Sequence, residues 1–305
     1  MTVLLIALFG FGMITSYLLP ILSFGSAYGQ TDTQAQDGNN RNVNTLGNNN
    51  TVSYSYNIYN DSNNQISPVR LHNNSVNYYG NNNSTGYLVY PEVANNTQQP
   101  QRLPAVIMIH EWWGLNEQIK RQANVLAMEG YVVLAVDLYQ GEVATTPDRS
   151  RELSSSVRND PASAIDNLQS AMNYVKSLEI VDDNKVASLG WCFGGDWSLQ
   201  LAVNSSSENP LAATILYYGR PITDTASLSK INWPILGIFG DQDQAIPVES
   251  VKQFVSALNA SGVTNEIYLY EGVGHAFANP SGDNYAPKET DDAWQKTIGF
   301  LKRYL

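Results

Sequence analysis

Short apolar runs alternate with amphipathic segments along most of the chain, and this pattern predicts a sheet covered by helices. The runs lie at residues 105–110, 131–136, 185–189, 212–218, 234–239 and 266–270. Strands that are apolar at nearly every position are typical of parallel sheets buried on both faces. One intervening segment aligns Ile165, Leu168, Met172 and Val175 at helical spacing. We therefore predict an α/β fold, with a mostly parallel eight-stranded sheet and helices on both faces.

The start of this region and one segment inside it have a different pattern. Residues 76–79 and 86–91 are predicted to form a hairpin, with its turn at 80–84. Residues 140–159 are polar and are predicted to be irregular. A helix is then predicted to begin at Asp160 and Pro161, since aspartate is a favoured N-cap and proline suits the first helical turn.

The sequence before the predicted domain divides into two parts. Residues 3–24 are almost wholly apolar, which is typical of an export signal, and the small residues at 27 and 29 place a cleavage site before Gln30. The run is also long enough to remain as a membrane anchor. Residues 30–75 are rich in Asn and poor in aliphatic residues, so we predict a disordered spacer. The domains expected are therefore a signal or anchor at 1–29, a spacer at 30–75 and a folded α/β domain at 76–305. The chain is expected to be exported and either secreted or held on the outer face of the membrane.

Composition narrows the range of functions. The net charge is -11 and no basic stripe occurs, which argues against nucleic acid as a partner. The three histidines are scattered, and Cys192 is the only cysteine, so no metal-ligand spacing and no disulfide is expected. No nucleotide-binding glycine motif is present. We expect no cofactor and a small molecule as the partner.

The stretch Gly190-Trp191-Cys192-Phe193-Gly194-Gly195 lies between a predicted strand and a predicted helix. A nucleophile between glycines at such a junction is typical of a nucleophile elbow. A lone cysteine is more often a buried packing residue. However, Asp243 and His275 each follow a later strand, in the nucleophile–acid–histidine order of hydrolase triads. The pattern predicts that Cys192, Asp243 and His275 are catalytic, with Asp241 as an alternative acid.

The loop after the strand at 105–110 supplies the remaining candidates. Backbone N–H groups of Trp112 and Phe193 are predicted to form the oxyanion hole, since such holes use the residue after the nucleophile and a loop of this kind. Glu111 is either a structural carboxylate or a second partner that modulates Cys192. His110 is a rival base, but alternation along the strand directs it away from Glu111, and we interpret it as structural.

Aromatic residues are concentrated near the predicted carboxyl ends of the strands. Such a set is typical of an apolar pocket that accepts a small ligand. The residues assigned to substrate binding are Trp113, Tyr139, Tyr218 and Phe277.

These motifs together resemble the dienelactone hydrolase family of α/β hydrolases. The matching stretches are 110–116, 136–139, 190–195, 240–247 and 274–277, spread over residues 76–305. The resemblance implies a Cys-His-Asp triad at Cys192, His275 and Asp243, because the family's acid precedes the proline at 247 by four residues. It also implies that Glu111 interacts with the resting cysteine and helps to activate it.

The chain departs from the family in two positions. Members that cleave dienelactones hold the substrate carboxylate with two arginines, and the corresponding positions here are Gly141 and Asn279. Without them a bidentate carboxylate contact is lost, although Arg220 is a conceivable substitute. We therefore predict a cysteine hydrolase that cleaves a small neutral ester, lactone or thioester through an acyl-enzyme. The alternatives are a non-catalytic surface-binding module and an acyl transferase on the same scaffold.

Overall fold

The computed structural model describes residues 52–60, 65–80, 85–92 and 102–305, with side-chain surroundings given from residue 69 onward. The predicted export segment at 1–29 lies outside these residues. The strands are β1 (Val52–Asn60), β2 (Gln65–Asn77), β3 (Thr85–Pro91), β4 (Leu103–Ile109), β5 (Val132–Val136), β6 (Val181–Trp191), β7 (Ala213–Tyr217), β8 (Ile235–Gly240) and β9 (Asn265–Tyr270). The helices are α1 (Glu117–Met128), α2 (Pro147–Asn159), α3 (Pro161–Ser177), α4 (Phe193–Asn204), α5 (Thr225–Leu228), α6 (Val248–Ala260) and α7 (Pro287–Tyr304).

The strands form one sheet in the order β1-β2-β3-β5-β4-β6-β7-β8-β9. The six strands from β5 to β9 in that order are parallel to one another. The first three strands pair antiparallel, and β3 joins them to the parallel part through the pair Leu88 and Leu134. The mostly parallel sheet predicted from the apolar runs is confirmed.

Helices cover both faces of the sheet, as the sequence predicts. On one face, β4 contributes Ile107 and Ile109 to a core with α3, α4 and α6. On the other, the alternate residues Val106 and Met108 pack with α1 and α7. Because strand side chains alternate between faces, a strand that is apolar at every position supplies both cores.

The sheet has one strand more than the eight predicted, and the additional strand lies in the predicted spacer. Residues 52–60 and 65–75 are in strands rather than in a disordered segment. The Asn-rich composition led to the prediction of disorder. An antiparallel strand forms its backbone hydrogen bonds with a neighbouring strand, so it does not need an aliphatic sequence. Where side chains are described, β2 also buries Leu71 and Asn73. The predicted hairpin is present, with Val76 opposite Gly86.

Residues 140–159 are not wholly irregular, since α2 begins at Pro147. Thr146 is its N-cap and accepts a hydrogen bond from the Arg149 N–H at 3.3 Å. The helix buries only Ser150 and Ser154. It therefore lacks the apolar stripe from which helices are normally recognised. None of the helices in the described ranges is both long and apolar enough to cross a membrane.

Candidate functional site

The turn between β6 and α4 holds Cys192 in a conformation that side-chain-bearing residues rarely adopt. Its backbone angles are φ 52° and ψ -116°. Such a conformation costs about 1–3 kcal/mol and persists only where the surroundings enforce it. A Cβ on Gly190 would collide with the Gly194 carbonyl, and a Cβ on Gly194 would collide with the Ile109 carbonyl. The flanking glycines are therefore required by close backbone approach, and the turn presents the thiol at the carboxyl end of the sheet.

Cys192, His275 and Asp243 form a continuous chain of contacts. The Cys192 Sγ atom lies 3.0 Å from His275 Nε2, and His275 Nδ1 lies 2.7 Å from Asp243 Oδ2. Asp243 is fully buried, and its Oδ1 atom accepts hydrogen bonds from the N–H groups of Ala245 and Ile246. These two bonds fix the carboxylate, which in turn fixes the imidazole. Asp243 rather than Asp241 contacts His275.

The surroundings of His275 favour the charged form of its ring. Burial alone would lower the pKa of His275, but hydrogen bonds and charge interactions with Asp243 and Cys192 raise it to about 10. An imidazolium is therefore present at neutral pH, directly opposite the sulfur. The sulfur also lies at the N-terminus of α4, where the helix dipole favours negative charge. The arrangement therefore places a positive charge on His275 beside the sulfur.

Glu111 lies beside this pair but bonds to other groups. Its Oε1 atom accepts a hydrogen bond from the Tyr218 hydroxyl at 3.2 Å, and its Oε2 atom accepts one from the Asn279 amide. Burial raises the pKa of Glu111 to about 7, although both hydrogen bonds and the charge of His275 oppose the rise. Across the described residues, no hydrogen bond joins Glu111 to Cys192. Glu111 can therefore act on the thiol through the charge of His275 but makes no direct contact with it.

Of the two predicted oxyanion donors, Phe193 is the first residue of α4 and Trp112 lies in the loop after β4. The first N–H of α4 that bonds within the helix is that of Asp196, to the Cys192 carbonyl at 3.0 Å. The N–H of Phe193 precedes it and belongs to the unsatisfied first turn. The Trp112 carbonyl accepts from the Tyr139 hydroxyl at 3.1 Å, which anchors the second loop. Both N–H groups lack a protein acceptor within residues 102–305.

His110 is a structural residue in this arrangement. Its Nδ1 atom lies 2.5 Å from the Glu111 carbonyl, and its Nε2 atom accepts the Leu138 N–H at 3.2 Å. Nδ1 must therefore carry the proton of a neutral ring. Burial lowers the pKa of His110 to about 4, so the ring stays neutral. The His110 ring stacks on the Phe193 ring, with the ring centres 5.7 Å apart, and so packs against the first residue of α4.

The four aromatic residues assigned to substrate binding occupy different surroundings. Phe277 is fully buried and packs on Tyr218 and Tyr270. Tyr218 is also buried, with its ring 5.2 Å from that of His275. Trp113 is half-buried and packs edge-on against Trp112. Tyr139 is buried and lines a cavity of about 340 Å³ between the segment after β5 and helices α2 and α3. A second cavity of about 300 Å³ lies along α4.

Gly141 and Asn279, the two positions where the family resemblance implies arginine, make other contacts. Asn279 holds Glu111, as described above. Gly141 has φ 91°, a conformation that favours glycine, and its N–H donates to Asp137 Oδ2. No group of three or more His, Cys, Asp or Glu side chains in the described chain is arranged to hold a metal ion.

Sequence reasoning did not identify three residues near the site. The sequence assigned Asn279 no role beyond standing at a position where the family resemblance implies arginine. Its contact with Glu111 joins residues 168 positions apart, which no local pattern indicates. Arg158 and Asp196 form an ion pair with an N···O distance of 3.1 Å next to the elbow. Asp196 follows Cys192 by one helical turn, and that spacing was the one available signal.

Known proteins are similar to this chain in sequence. The sequence profile described as "Dienelactone hydrolase family" matches residues 86–305. A Saccharolobus solfataricus protein named "Putative carboxymethylenebutenolidase" is 32% identical over 233 residues, covering 65% of this chain and 89% of that protein. "Protein usf" of Aquifex pyrophilus is 30% identical over 207 residues, covering 66% and 89%.

A solved structure gives the same result for the fold. The Klebsiella pneumoniae protein described as "Putative Dienelactone Hydrolase" superimposes with a TM-score of 0.67 at 25% identity, over 78% of this chain and all of that one. The fold is therefore that of the α/β hydrolases. With the profile matching most of the chain, and with the elbow and its histidine in place, the protein belongs to the dienelactone hydrolase family and is a hydrolase of ester or lactone bonds.

Proposed function

We propose that Cys192 is the nucleophile of a small-ester or lactone hydrolase that works through an acyl-enzyme. The observation that carries the proposal is the chain of contacts from Sγ to Nε2 at 3.0 Å and from Nδ1 to Oδ2 at 2.7 Å. This geometry matches the requirement for a nucleophile, a base within hydrogen-bond reach and a group that orients the base.

The reaction follows from where the proton lies. The Cys192 thiolate attacks the carbonyl carbon, and the N–H groups of Phe193 and Trp112 bind the developing oxyanion. His275 gives its Nε2 proton to the leaving oxygen as the C–O bond breaks, which leaves a thioester. Water then loses a proton to His275 and attacks the thioester. The C–S bond breaks, the acid leaves and the thiolate is restored.

The surroundings of the scissile bond favour an uncharged group. Asn279 and Gly141 stand where the family resemblance implies two arginines, and neither carries a charge. Glu111 adds negative charge on this side whenever it is ionised. We propose that the part of the substrate next to the scissile bond is neutral, with the half-buried Trp113 and the ring of Tyr139 as its apolar walls.

The test uses the single cysteine of the chain. Wild type should hydrolyse 4-nitrophenyl acetate, and mass spectrometry after a rapid acid quench should detect one acetyl group on Cys192. The Cys192→Ala variant should lose turnover. Equal turnover in both proteins would overturn the proposal. An acyl transferase would instead form the same adduct and pass the acyl group to an added alcohol in preference to water.

We propose further that the chain is exported, on the basis of the apolar segment at residues 3–24. Expression with and without residues 1–29, followed by fractionation and N-terminal sequencing, tests this. Recovery of the full-length chain in the cytoplasm, with an intact Met1, would contradict it.

A further inference from the structure

His110 bonds to the peptide unit that carries one of the two oxyanion donors. Its Nδ1 atom donates to the Glu111 carbonyl at 2.5 Å, and that carbonyl belongs to the same peptide unit as the Trp112 N–H. In a trans peptide unit the C=O and N–H bonds lie in one plane and point in opposite directions. A bond that fixes the direction of the Glu111 carbonyl therefore fixes the direction of the Trp112 N–H as well.

The tautomer that this bond requires is set at the other side of the ring. His110 Nε2 accepts the Leu138 N–H at 3.2 Å, so the proton of the neutral ring lies on Nδ1. The ring is fully buried, and neither nitrogen is open to water. His110 thus joins the loop after β4 to the segment after β5 through one donated and one accepted backbone hydrogen bond.

Two further contacts hold the loop on either side of the Trp112 N–H. The Gly114 N–H donates to the Glu111 carbonyl at 3.2 Å, and the Tyr139 hydroxyl donates to the Trp112 carbonyl at 3.1 Å. The peptide units before and after Trp112 are therefore both anchored. Of the two bonds to the unit that carries the donor, the one from His110 is the shorter, and a single side-chain substitution removes it.

The His110 ring also contacts the residue that supplies the other donor. Its ring centre lies 5.7 Å from that of Phe193 and 4.7 Å from that of Tyr139, and the rings of Phe193 and Tyr139 lie 5.5 Å apart. All three side chains are buried. Because protein interiors are close-packed, this cluster sets the distance between the loop after β4 and the first turn of α4. The same ring orients one donor and packs against the other.

We propose that His110 is a positioning residue for the oxyanion hole, which directs the Trp112 N–H toward the point that the Phe193 N–H also faces. Oxyanion stabilisation depends on donors that are in place before the charge develops, so a donor that turns away weakens it. His110 acts on the transition state rather than on the thiol, because both of its nitrogens are bonded to backbone groups. This inference rests on the proposed function and adds the residue that orients one of its two donors.

Two reactions of Cys192 separate this role from an effect on the thiol. Hydrolysis of 4-nitrophenyl acetate passes through a tetrahedral oxyanion, whereas iodoacetamide is attacked at a saturated carbon and forms none. His110→Gln removes the Nδ1 donor, while its amide oxygen can still accept the Leu138 N–H. The kcat/KM for the ester should fall at least about tenfold. The alkylation rate at pH 6 should stay within about twofold of wild type, since the thiol keeps its own partner.

His110→Asn is the matched variant, because its amide nitrogen falls near the place of Nδ1 and can donate to the Glu111 carbonyl. It should retain most of the ester activity that His110→Gln loses. Trp233→Phe controls for lost stability, since it removes the buried bond from Trp233 Nε1 to Thr214 Oγ1 at the opposite end of the strands from Cys192. It should leave both reactions unchanged.

The split between the two reactions decides the outcome. An equal fall in ester hydrolysis and alkylation in His110→Gln, or ester activity equal to that of wild type, would overturn the inference and leave the proposed function standing. If His110→Gln does not fold, His110→Leu, which is of similar size and has no donor, takes its place with the same expected split.

Reversible addition to an activated ketone tests His110 without turnover. The Cys192 thiolate adds to the carbonyl carbon of 2,2,2-trifluoroacetophenone: the C–S bond forms, the carbonyl oxygen takes the negative charge and no group leaves. The inhibition constant, measured as protection from alkylation, should rise about tenfold in His110→Gln. This result is expected even if wild type hydrolyses no ester, which would overturn the proposed function alone. An unchanged constant, or no adduct in wild type, would overturn the assignment of His110.

Discussion

The side-chain amide of Asn279 donates a hydrogen bond to Glu111 Oε2, while the Tyr218 hydroxyl donates to Oε1 of the same carboxylate. Both contacts are buried. They hold Glu111 turned toward Asn279, so the sulfur of Cys192 faces His275 alone. Asn279 and Tyr218 thereby fix the orientation of the Glu111 carboxylate.

Replacing Glu111 by Gln should change how stability depends on pH. Burial raises the pKa of Glu111 to about 7, above its ordinary value of 4.5. The stability associated with the neutral carboxyl is therefore fully present below about pH 4.5 and is lost as the pH rises through about 7. Relative to wild type, Glu111→Gln should gain on the order of 2–3 kcal/mol in the free energy of unfolding between pH 4.5 and pH 8.

Urea denaturation at several pH values measures this difference. Glu117→Gln is the control, because Glu117 is exposed at the start of α1 and its removal should leave the pH dependence unchanged. A constant difference between Glu111→Gln and wild type across this range would show that Glu111 does not ionise with a raised pKa.

Asp243→Asn should decrease activity without loss of folding. The new amide oxygen still accepts the N–H groups of Ala245 and Ile246, but the NH₂ group then faces His275 Nδ1. That ring atom must become an acceptor, which places the proton of the neutral ring on Nε2. The loss in kcat should be on the order of 10⁴. The pKa of His275 should fall from about 10, because the hydrogen bond and negative charge that raise it are lost.

Iodoacetamide alkylation of Cys192 as a function of pH reports this change, since no other cysteine competes. Asp241→Asn is the matched control, because Asp241 accepts the Gly272 N–H and does not contact His275. Equal alkylation profiles in Asp243→Asn and wild type would contradict the coupling of the pair.

The sequence predicts the sheet and the meeting of Cys192, Asp243 and His275 for a shared physical reason. Apolar runs mark buried strands, and parallel strands present their carboxyl ends at one edge, so residues that follow them meet in space. Cys192, Asp243 and His275 each follow such a run. The helix at 147–159 had a usable sequence signal, since Thr146-Pro147 resembles Asp160-Pro161. Only Leu153 and Val157 contact the core from this helix, so its hydrophobic pattern was too weak to predict it.

The features that the sequence misses depend on contacts between distant segments. Nothing near Asn279 indicates that its amide reaches Glu111. The pairing of Arg158 with Asp196 depends on how the α2–α3 junction packs against α4. Strand β1 depends on pairing with β2, and composition does not report pairing. Hydrophobic periodicity describes one segment at a time. Side-chain contacts between distant segments can therefore be identified only once the fold is known.

His275 and His110 should respond oppositely to substitution. His275→Gln removes the imidazolium and should reduce the alkylation rate of Cys192 at pH 7 by at least about tenfold. His110→Gln should leave that rate nearly unchanged, because the His110 ring is neutral and bonded to backbone at both nitrogens. It should instead lower the free energy of unfolding by about 1–3 kcal/mol, through unsatisfied buried backbone groups. Loss of alkylation in a folded His110→Gln protein would identify His110 as the base.

Gly194→Ala should disrupt the elbow, whereas Gly299→Ala should be tolerated. A Cβ at Gly194 would collide with the carbonyls of Ile109, the last residue of β4, and of His110, which follows it. These carbonyls cannot move without displacing the oxyanion loop. The free energy of unfolding should fall by about 3 kcal/mol or more, and the remaining folded protein should lose esterase activity.

At Gly299, in the middle of α7, the nearest atom to a new Cβ is the Arg303 Nη1 atom at 4.0 Å. Alanine there should stabilise the helix by about 0.5–1 kcal/mol, because glycine loses more backbone entropy on folding. Denaturation curves and 4-nitrophenyl acetate turnover of both variants make the comparison. Full activity in Gly194→Ala would contradict this prediction. It would mean that the backbone around the β6–α4 turn can separate to admit a Cβ without moving the Cys192 thiol.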